Sequence, residues 1–329
     1  MQRGVNLPGW DSEDESLRPT VAQLEALRER GFSHIRLLLE ARGLGLPERE
    51  AYLDQMVEAI ILLFSLDYAV SLNLHAGGIF ERGADQAEAD LRDIWLAIAA
   101  RVRFLDSEKL AVELLNEPRT ESRTWWPLAA RLSSEIRRAL PSHTIVVGPA
   151  GPQRHETLAS LEPLGDPNVV YAIHYYDPFA FTHQGADWGG ADDPIQYLGD
   201  LPFPATADDP TMKARVAKLK AEGHGEAAMV LRRSLETPWT EDAMKPAFDM
   251  MAGWSARHAR PVVVNEFGVL SYHAPRQSRL DWLAAVRRQA EEHCIGWTHW
   301  DFQDGFGLMD PETGMPDAEI MEALAPPTK

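Results

Sequence analysis

Short runs of apolar residues alternate with longer amphipathic segments along most of this chain. Continuous apolar runs bounded by polar residues are typical of strands that are buried on both faces. The segments between them carry apolar residues at three- and four-residue spacing, which is typical of helices. The predicted strands are 5–7, 34–39, 68–74, 110–115, 144–147, 169–173, 261–264 and 295–300. The predicted helices are 21–29, 48–66, 85–104, 122–140, 240–258 and 279–293.

This alternation predicts the fold class. Strands that alternate with helices pair in parallel through right-handed crossovers. A run of such strands with a helix after most of them indicates an α/β fold, a (β/α)8 TIM barrel, as a single domain over 1–329. An open, doubly wound sheet is the alternative. No Gly-rich turn of the GxGxxG type follows the first strand, which argues against a dinucleotide-binding version of that sheet.

The segment at about 177–238 departs from the alternation. It is too long for a plain loop and contains Pro202, Pro204 and Pro210, followed by a charged stretch at 211–235 that is compatible with a helix. We predict an excursion after the sixth strand that passes over the carboxyl face of the barrel as a lid or cleft wall. A small peripheral subdomain without substrate contact is the alternative, and the sequence leaves both open.

The composition of the chain limits the classes of molecule that it is expected to bind. The 32 basic and 50 acidic residues give a net charge of -18, which disfavours nucleic acid and anionic membrane surfaces and suits a neutral or cationic substrate. Cys294 is the only cysteine, so no intrachain disulfide can form. No stretch approaches the roughly 20 apolar residues of a membrane span, and we expect a monomer. No signal peptide precedes the first strand, so we expect a cytoplasmic protein, or an extracellular or periplasmic one if a leader has been removed.

Two of the predicted strands deliver a glutamate at their carboxyl ends. The first ends in Asn116-Glu117-Pro118 and the second in Asn265-Glu266. The carboxyl ends of parallel strands form the ligand-binding face of a barrel. Two carboxyl groups on one face are what retaining glycoside hydrolysis requires, since one attacks the anomeric carbon while the other protonates the leaving oxygen.

Other polar and aromatic side chains follow strands on the same face. Arg36, His75, His174, Tyr176 and Trp300 all lie at or just after predicted strand ends. Each also has a structural interpretation. Arg36 could be an ion-pair partner, the two histidines could be hydrogen-bonded core residues, and Trp300 could be packing.

The strand ends occur in a specific order and spacing across nearly the whole chain: Gly4-Val5-Asn6, Arg36, His75, Asn116-Glu117-Pro118, His174-Tyr175-Tyr176, Glu266-Phe267-Gly268 and Trp300. In this order they resemble the family 5 glycoside hydrolases, the cellulase family within the retaining (β/α)8 enzymes. The resemblance implies that Glu117 is the general acid/base and Glu266 the nucleophile. It also implies that Asn116 hydrogen-bonds the sugar 2-hydroxyl.

The resemblance assigns roles to the remaining strand ends as well. Arg36 and Tyr176 would orient Glu266 and keep it ionised. His75 and His174 would bind sugar hydroxyls or tune the acid/base. Trp300 would form the floor of the subsite that holds the glycosyl unit.

Some positions depart from the family pattern or extend it. Asn265 precedes the second glutamate where glycine is common, and the third strand ends in His-Ala-Gly-Gly, with one histidine where the family often has two. The stretch at 177–188 is rich in aromatic and polar groups and follows directly on a strand end. We expect its His183, Gln184 and Trp188 to border the sugar-binding cleft.

The predicted function is therefore hydrolysis of β-glycosidic bonds with retention, without a cofactor and without a metal. A β-glucan is the expected oligo- or polysaccharide substrate, with endo-β-1,4-glucanase action as the first hypothesis. A β-mannanase, a β-1,3-glucanase or an exo-acting β-glucosidase is the alternative within the class, because substrate choice follows the loops while the catalytic apparatus is shared. A non-catalytic carbohydrate-binding barrel and a metal-assisted barrel hydrolase are the alternatives outside it.

Overall fold

The computed structural model describes residues 2–14, 17–45 and 47–327. These described residues fold into two compact units. The barrel unit lies within Met1–His174, Met250–Glu266 and Ile295–His299. The helical unit lies within Tyr175–Asp249, Phe267–Cys294 and Trp300–Lys329.

Parallel strands form a closed barrel in the barrel unit. Their order along the described chain is β1 to β8, and β8 pairs with β1 to close the ring. This arrangement confirms the predicted (β/α)8 fold. The strands are β1 Arg3–Leu7, β2 His34–Glu40, β3 Ala69–His75, β4 Leu110–Glu113, β5 Thr144–Val147, β6 Val169–His174, β7 Val262–Glu266 and β8 Gly296–His299.

The helices follow the predicted amphipathic segments closely. Thr20 begins the first of them with a capping box, in which Thr20 and Gln23 satisfy each other's backbone N–H groups. The helices are α1 Val21–Glu29, α2 Arg49–Ser65, α3 Ala84–Val102, α4 Ser122–Ala139, α5 His155–Leu158, α6 Phe179–Thr182, α7 Pro210–Ala221, α8 Gly225–Ser234, α9 Glu241–His258, α10 Arg276–Glu292 and α11 Ala318–Leu324. Among the described residues, none of these helices is long and apolar enough to cross a membrane.

The excursion after β6 contains helices, but its charged stretch is not one continuous helix. It carries α6, a 3-10 turn at Pro194–Tyr197, α7 and α8. Gly223, with a φ of 87°, separates α7 from α8, since this left-handed conformation ends a helix at little cost for glycine. The expectation that the excursion acts as a lid or cleft wall stays a prediction.

The barrel interior is part apolar and part polar. Ala111, Val146, Ala172 and Val263 pack together on its apolar side. Elsewhere in the barrel, buried His34 contacts Ser71 and Thr298 through its two ring nitrogens. Burial lowers the pKa of His34 to about 3, so this histidine is neutral at neutral pH. It fits because the neighbouring position is Gly4, where a Cβ atom would lie 2.7 Å from His34 Nδ1.

Candidate active site

The chain leaves the regular ladder of the barrel just before the first glutamate. Strand β4 ends at Glu113, so the predicted end at Leu115 is wrong. The backbone nevertheless stays pinned to its neighbours, because the Asn116 N–H donates to the Leu74 carbonyl at 2.9 Å. Glu117 then adopts a φ of 40°, a left-handed conformation that takes the chain out of extended strand geometry just before Pro118.

Arg36 is the centre of the buried network that holds the second glutamate. Its Nη1 donates to Glu266 Oε1 and, at 2.7 Å, to Asn6 Oδ1. Its Nε and Nη2 donate to the two oxygens of Glu113 at 2.7 and 3.0 Å, a bidentate pair. Nη2 also donates to Asn116 Oδ1 at 2.8 Å. The guanidinium therefore fixes Glu266 and Asn116 from one rigid group.

Glu113 gives this network its charge balance. The side chains of Arg36 and Glu113 are both fully buried. Burial opposes the charge of Arg36, but Glu113 and Glu266 outweigh it and raise the pKa of Arg36. Asn265 adds a further contact, since its Nδ2 donates to Glu113 Oε1 at 2.9 Å. The asparagine that departs from the family pattern thus joins the buried network.

His174, at the end of β6, contacts both candidate carboxylates. Its Nδ1 lies 2.9 Å from Glu117 Oε1 and 3.3 Å from Glu266 Oε2. The ligand atoms of these three side chains all lie within 4.8 Å of one another. They could therefore also hold a metal ion, and the absence of a metal requirement stays a prediction.

The two carboxyl groups have different environments. The Glu117 side chain keeps 32% of its exposure, whereas the Glu266 side chain keeps 7%. Burial raises the pKa of Glu266, and the positive charges of His174 and Arg36 counter this only in part. Burial acts in the same direction on Glu117, but the hydrogen bond and charge of His174, followed by the charges of Arg36 and Arg119, outweigh it and lower the pKa of Glu117.

His75 belongs to the same group of side chains. It is the last residue of β3, which pairs with β2, the strand that carries Arg36. Burial, together with the positive charges of Arg36 and His174, lowers the pKa of His75 well below its usual range. His75 is therefore a neutral hydrogen-bonding group at neutral pH. The barrel unit thus brings together Arg36, His75, Asn116, Glu117, His174 and Glu266.

Three further residues that the sequence predicted for the site lie close together in the helical unit, where their rings pack against one another: Tyr176, His183 and Trp188. The imidazole of His183 stacks on Phe179 at 3.8 Å between ring centroids and meets Tyr176 edge to face at 4.9 Å. Trp188 lies 6.1 Å from His183, and its side chain is 61% exposed. An exposed indole on a supported cluster offers an apolar face to a sugar ring. The expected contact between Tyr176 and Glu266 stays a prediction.

Gln184 and Trp300 have other surroundings within the helical unit. Gln184 is fully buried, and its amide group bonds the backbone, accepting from the Leu201 N–H at 2.8 Å and donating to the Phe181 carbonyl at 3.0 Å. Its amide therefore holds the chain of the helical unit together rather than facing solvent. Trp300 is half-buried and begins a cis peptide bond to Asp301. Its role as a subsite floor stays a prediction.

Sequence analysis missed Glu113 and Gln153 as parts of the site. Glu113 had a signal, because a glutamate in an otherwise apolar strand two residues from Ala111 points to the same face as that core residue. Gln153 had none, since it lies in a loop after β5. The structure places its Oε1 2.7 Å from the backbone nitrogen of Glu117.

The family model of the cellulases, glycosyl hydrolase family 5, matches residues 2–304. The chain belongs to this family. It is accordingly classed with the glycoside hydrolases, and the resemblance inferred from the strand ends is confirmed. The matched range includes both glutamates and the histidine between them.

Individual relatives agree with the family assignment. The chain is 26% identical to Endoglucanase 3 of Fibrobacter succinogenes over 94% of its own length, but it spans only 50% of that protein. It is 25% identical to Endoglucanase C of Acetivibrio thermocellus, covering 98% of this chain and 97% of that one.

A solved structure shows the same fold. The structure of Cel5A from Thermotoga maritima in complex with mannotriose has a TM-score of 0.78 to this chain at 23% identity, covering 98% of this chain and 97% of that one. The same Thermotoga protein has also been solved with cellobiose. The similarity extends over both units of the chain.

Proposed function

We propose that this protein hydrolyses β-glycosidic bonds with retention of anomeric configuration, with Glu266 as nucleophile and Glu117 as general acid/base. The pairing of the two carboxylates at one histidine carries the proposal. His174 Nδ1 lies 2.9 Å from a Glu117 oxygen and 3.3 Å from a Glu266 oxygen, and one oxygen of each glutamate lies within 4.8 Å of the other. Such close carboxyl groups favour the retaining mechanism, in which one attacks the sugar directly, over the inverting one, in which a water lies between sugar and base. Family membership supports the same chemistry.

The contacts of each glutamate match its proposed role. Arg36 donates to Glu266, which favours the ionised form and fixes one oxygen, leaving the carboxylate to attack the anomeric carbon. Glu117, which contacts the same nitrogen of His174 and is more exposed, would donate its proton to the leaving oxygen and then deprotonate the water that hydrolyses the ester. Arg36 also holds the carboxamide oxygen of Asn116, which orients the amide NH2 as a donor toward a sugar hydroxyl.

Substrate binding would adjust the protonation of the pair. A nucleophile must be ionised while the acid carries a proton, whereas the pKa directions in the open cleft run the other way. A sugar that covers the exposed third of Glu117 removes water from its charged form and raises its pKa. Glu266 is already buried, so the same event changes its pKa little.

A β-1,4-glucan is the proposed substrate, cleaved internally. The endoglucanase relatives and the cellobiose complex of the Thermotoga protein support this choice. A β-mannan is the second candidate, because that same protein has been solved with mannotriose. Substrate choice within one catalytic apparatus depends on the loops around it.

Reducing-sugar release from soluble β-1,4-glucan, β-1,3-glucan and β-mannan tests the proposal. Glu266→Gln and Glu117→Gln should each lower the rate on the preferred polymer by several orders of magnitude. Glu88→Gln, on the surface, is the matched control and should keep wild-type activity. The first product seen by proton NMR should be the β-anomer. Wild-type turnover in Glu266→Gln, an α-anomer as first product, or loss of activity with EDTA would each contradict the mechanism.

A further inference from the structure

We infer that Gln153 is a positioning residue for the general acid/base, an inference that rests on the proposed function. Gln153 is fully buried in the loop after β5. Its Oε1 accepts the backbone N–H of Glu117 at 2.7 Å, and its own backbone carbonyl accepts the N–H of His174 at 3.0 Å. One residue therefore holds the main chain of both the proposed acid/base and the histidine that bonds its carboxylate.

The loop is built to present this side chain. Gln153 has a φ of 48°, a left-handed conformation that is uncommon for a residue other than glycine. Its Nε2 donates to the Ala172 carbonyl at 3.3 Å, which fixes the orientation of the amide so that the oxygen faces Glu117. At Gly148 a Cβ atom would lie 2.2 Å from Gln153 Nε2, so glycine leaves the room that the amide occupies.

The contact is specific to the turn that carries the acid/base. The loop has another anchor on the same turn, since the Gly151 N–H donates to the Pro118 carbonyl at 2.9 Å. Holding the loop therefore does not require the Gln153 amide. The amide instead satisfies the N–H of Glu117 itself, whose φ of 40° turns it out of the strand ladder. Because misplacement of a catalytic group by a fraction of an ångström lowers the rate, this bond bears directly on proton transfer.

A positioning role predicts a dependence on the leaving group. Proton donation by Glu117 accelerates departure of a sugar alkoxide but contributes little for dinitrophenolate, which leaves without a proton. Gln153→Met keeps the length of the side chain and removes the hydrogen bond. It should lower kcat/KM for an unsubstituted cello-oligosaccharide by about 30-fold and change kcat/KM for a dinitrophenyl cellobioside by no more than about twofold.

The second half of the reaction offers an independent readout. Hydrolysis of the glycosyl ester on Glu266 needs Glu117 as base, so kcat of Gln153→Met on the dinitrophenyl substrate should fall. Azide should restore it, because the anion attacks the anomeric carbon and releases the Glu266 carboxylate without base assistance. The product should be the β-glycosyl azide. Gln153→Glu, which keeps an oxygen acceptor, should recover part of the oligosaccharide rate.

The control variants separate positioning from stability. Gln289→Leu removes another buried glutamine amide, in α10, and should lower stability without a leaving-group effect. Gly148→Ala should reproduce the effect of Gln153→Met by displacing the amide, and it replaces that variant if Gln153→Met does not fold. Equal losses of kcat/KM on both substrates, or no loss of kcat/KM on either, would overturn the positioning role. A Glu117→Ala variant without leaving-group dependence would instead overturn the proposed function.

Discussion

Glu266 and Glu117 share one histidine, yet different kinds of contact hold them. Glu266 is fixed through its side chain by Arg36, whose own position depends on the buried carboxylate of Glu113. Glu117 is fixed through its main chain by the neutral amide of Gln153, while its carboxylate keeps some exposure. The difference suits the two proposed roles. A nucleophile needs one position and one charge, whereas an acid/base must change protonation twice in each turnover.

The largest expected effect comes from breaking the ion pair on the Glu266 side. Glu113→Gln leaves Arg36 with one carboxylate in a fully buried site, so we expect the free energy of unfolding to fall by about 3 kcal/mol. Glu88→Gln is the matched control, because Glu88 forms the same bidentate pair with Arg131 at the surface and should cost at most about 1 kcal/mol. Urea unfolding of the two variants measures the difference. Equal losses would show that burial of the pair contributes nothing.

A smaller effect should follow from Asn265→Ala. This variant removes the hydrogen bond to Glu113 and so holds Arg36 less firmly. We expect it to lower kcat/KM roughly fivefold, which corresponds to the loss of about 1 kcal/mol of transition-state stabilisation. The loss should be equal for oligosaccharide and dinitrophenyl substrates, because both need the nucleophile. Gln153→Met is the contrasting variant on the other side. If the loss in Asn265→Ala depended on the leaving group, the contacts that hold Glu266 could not be distinguished in this way from those that hold Glu117.

The smallest expected change is in the pH profile of His174→Phe. His174 lowers the pKa of both carboxyl groups, so its removal should raise both. The two limbs of the kcat/KM profile report the apparent pKa values of the carboxyl pair as a whole, so both limbs should move to higher pH. His143→Phe, at a buried histidine just before β5, should leave both limbs in place. A limb that stays fixed or moves to lower pH in His174→Phe would contradict this account.

Periodicity predicted most of the fold because it is local information. Buried strands and amphipathic helices leave their spacing in neighbouring residues, and α1 and β5 have the bounds that the pattern predicts. The predicted end of β4 was wrong because the chain after Glu113 stays hydrogen-bonded to its neighbours without regular strand geometry. A run of apolar residues does not show where the regular geometry stops. The stretch at 211–235 is helical, as its composition allows, but it is divided into α7 and α8 at Gly223, and a glycine by itself does not show whether a helix ends there.

What the sequence by itself determined is the alternation of strands and helices, the residues that follow the strands in chain order, and with them the family. What only the tertiary structure decided is how each glutamate is held. Arg36 contacts Glu113 across 77 positions and Glu266 across 230, and a pattern in one stretch of chain carries no record of such partners. Gln153 depends further on a left-handed backbone and on the space beside Gly148, which appear only when the barrel closes and brings the β4, β5 and β6 ends together.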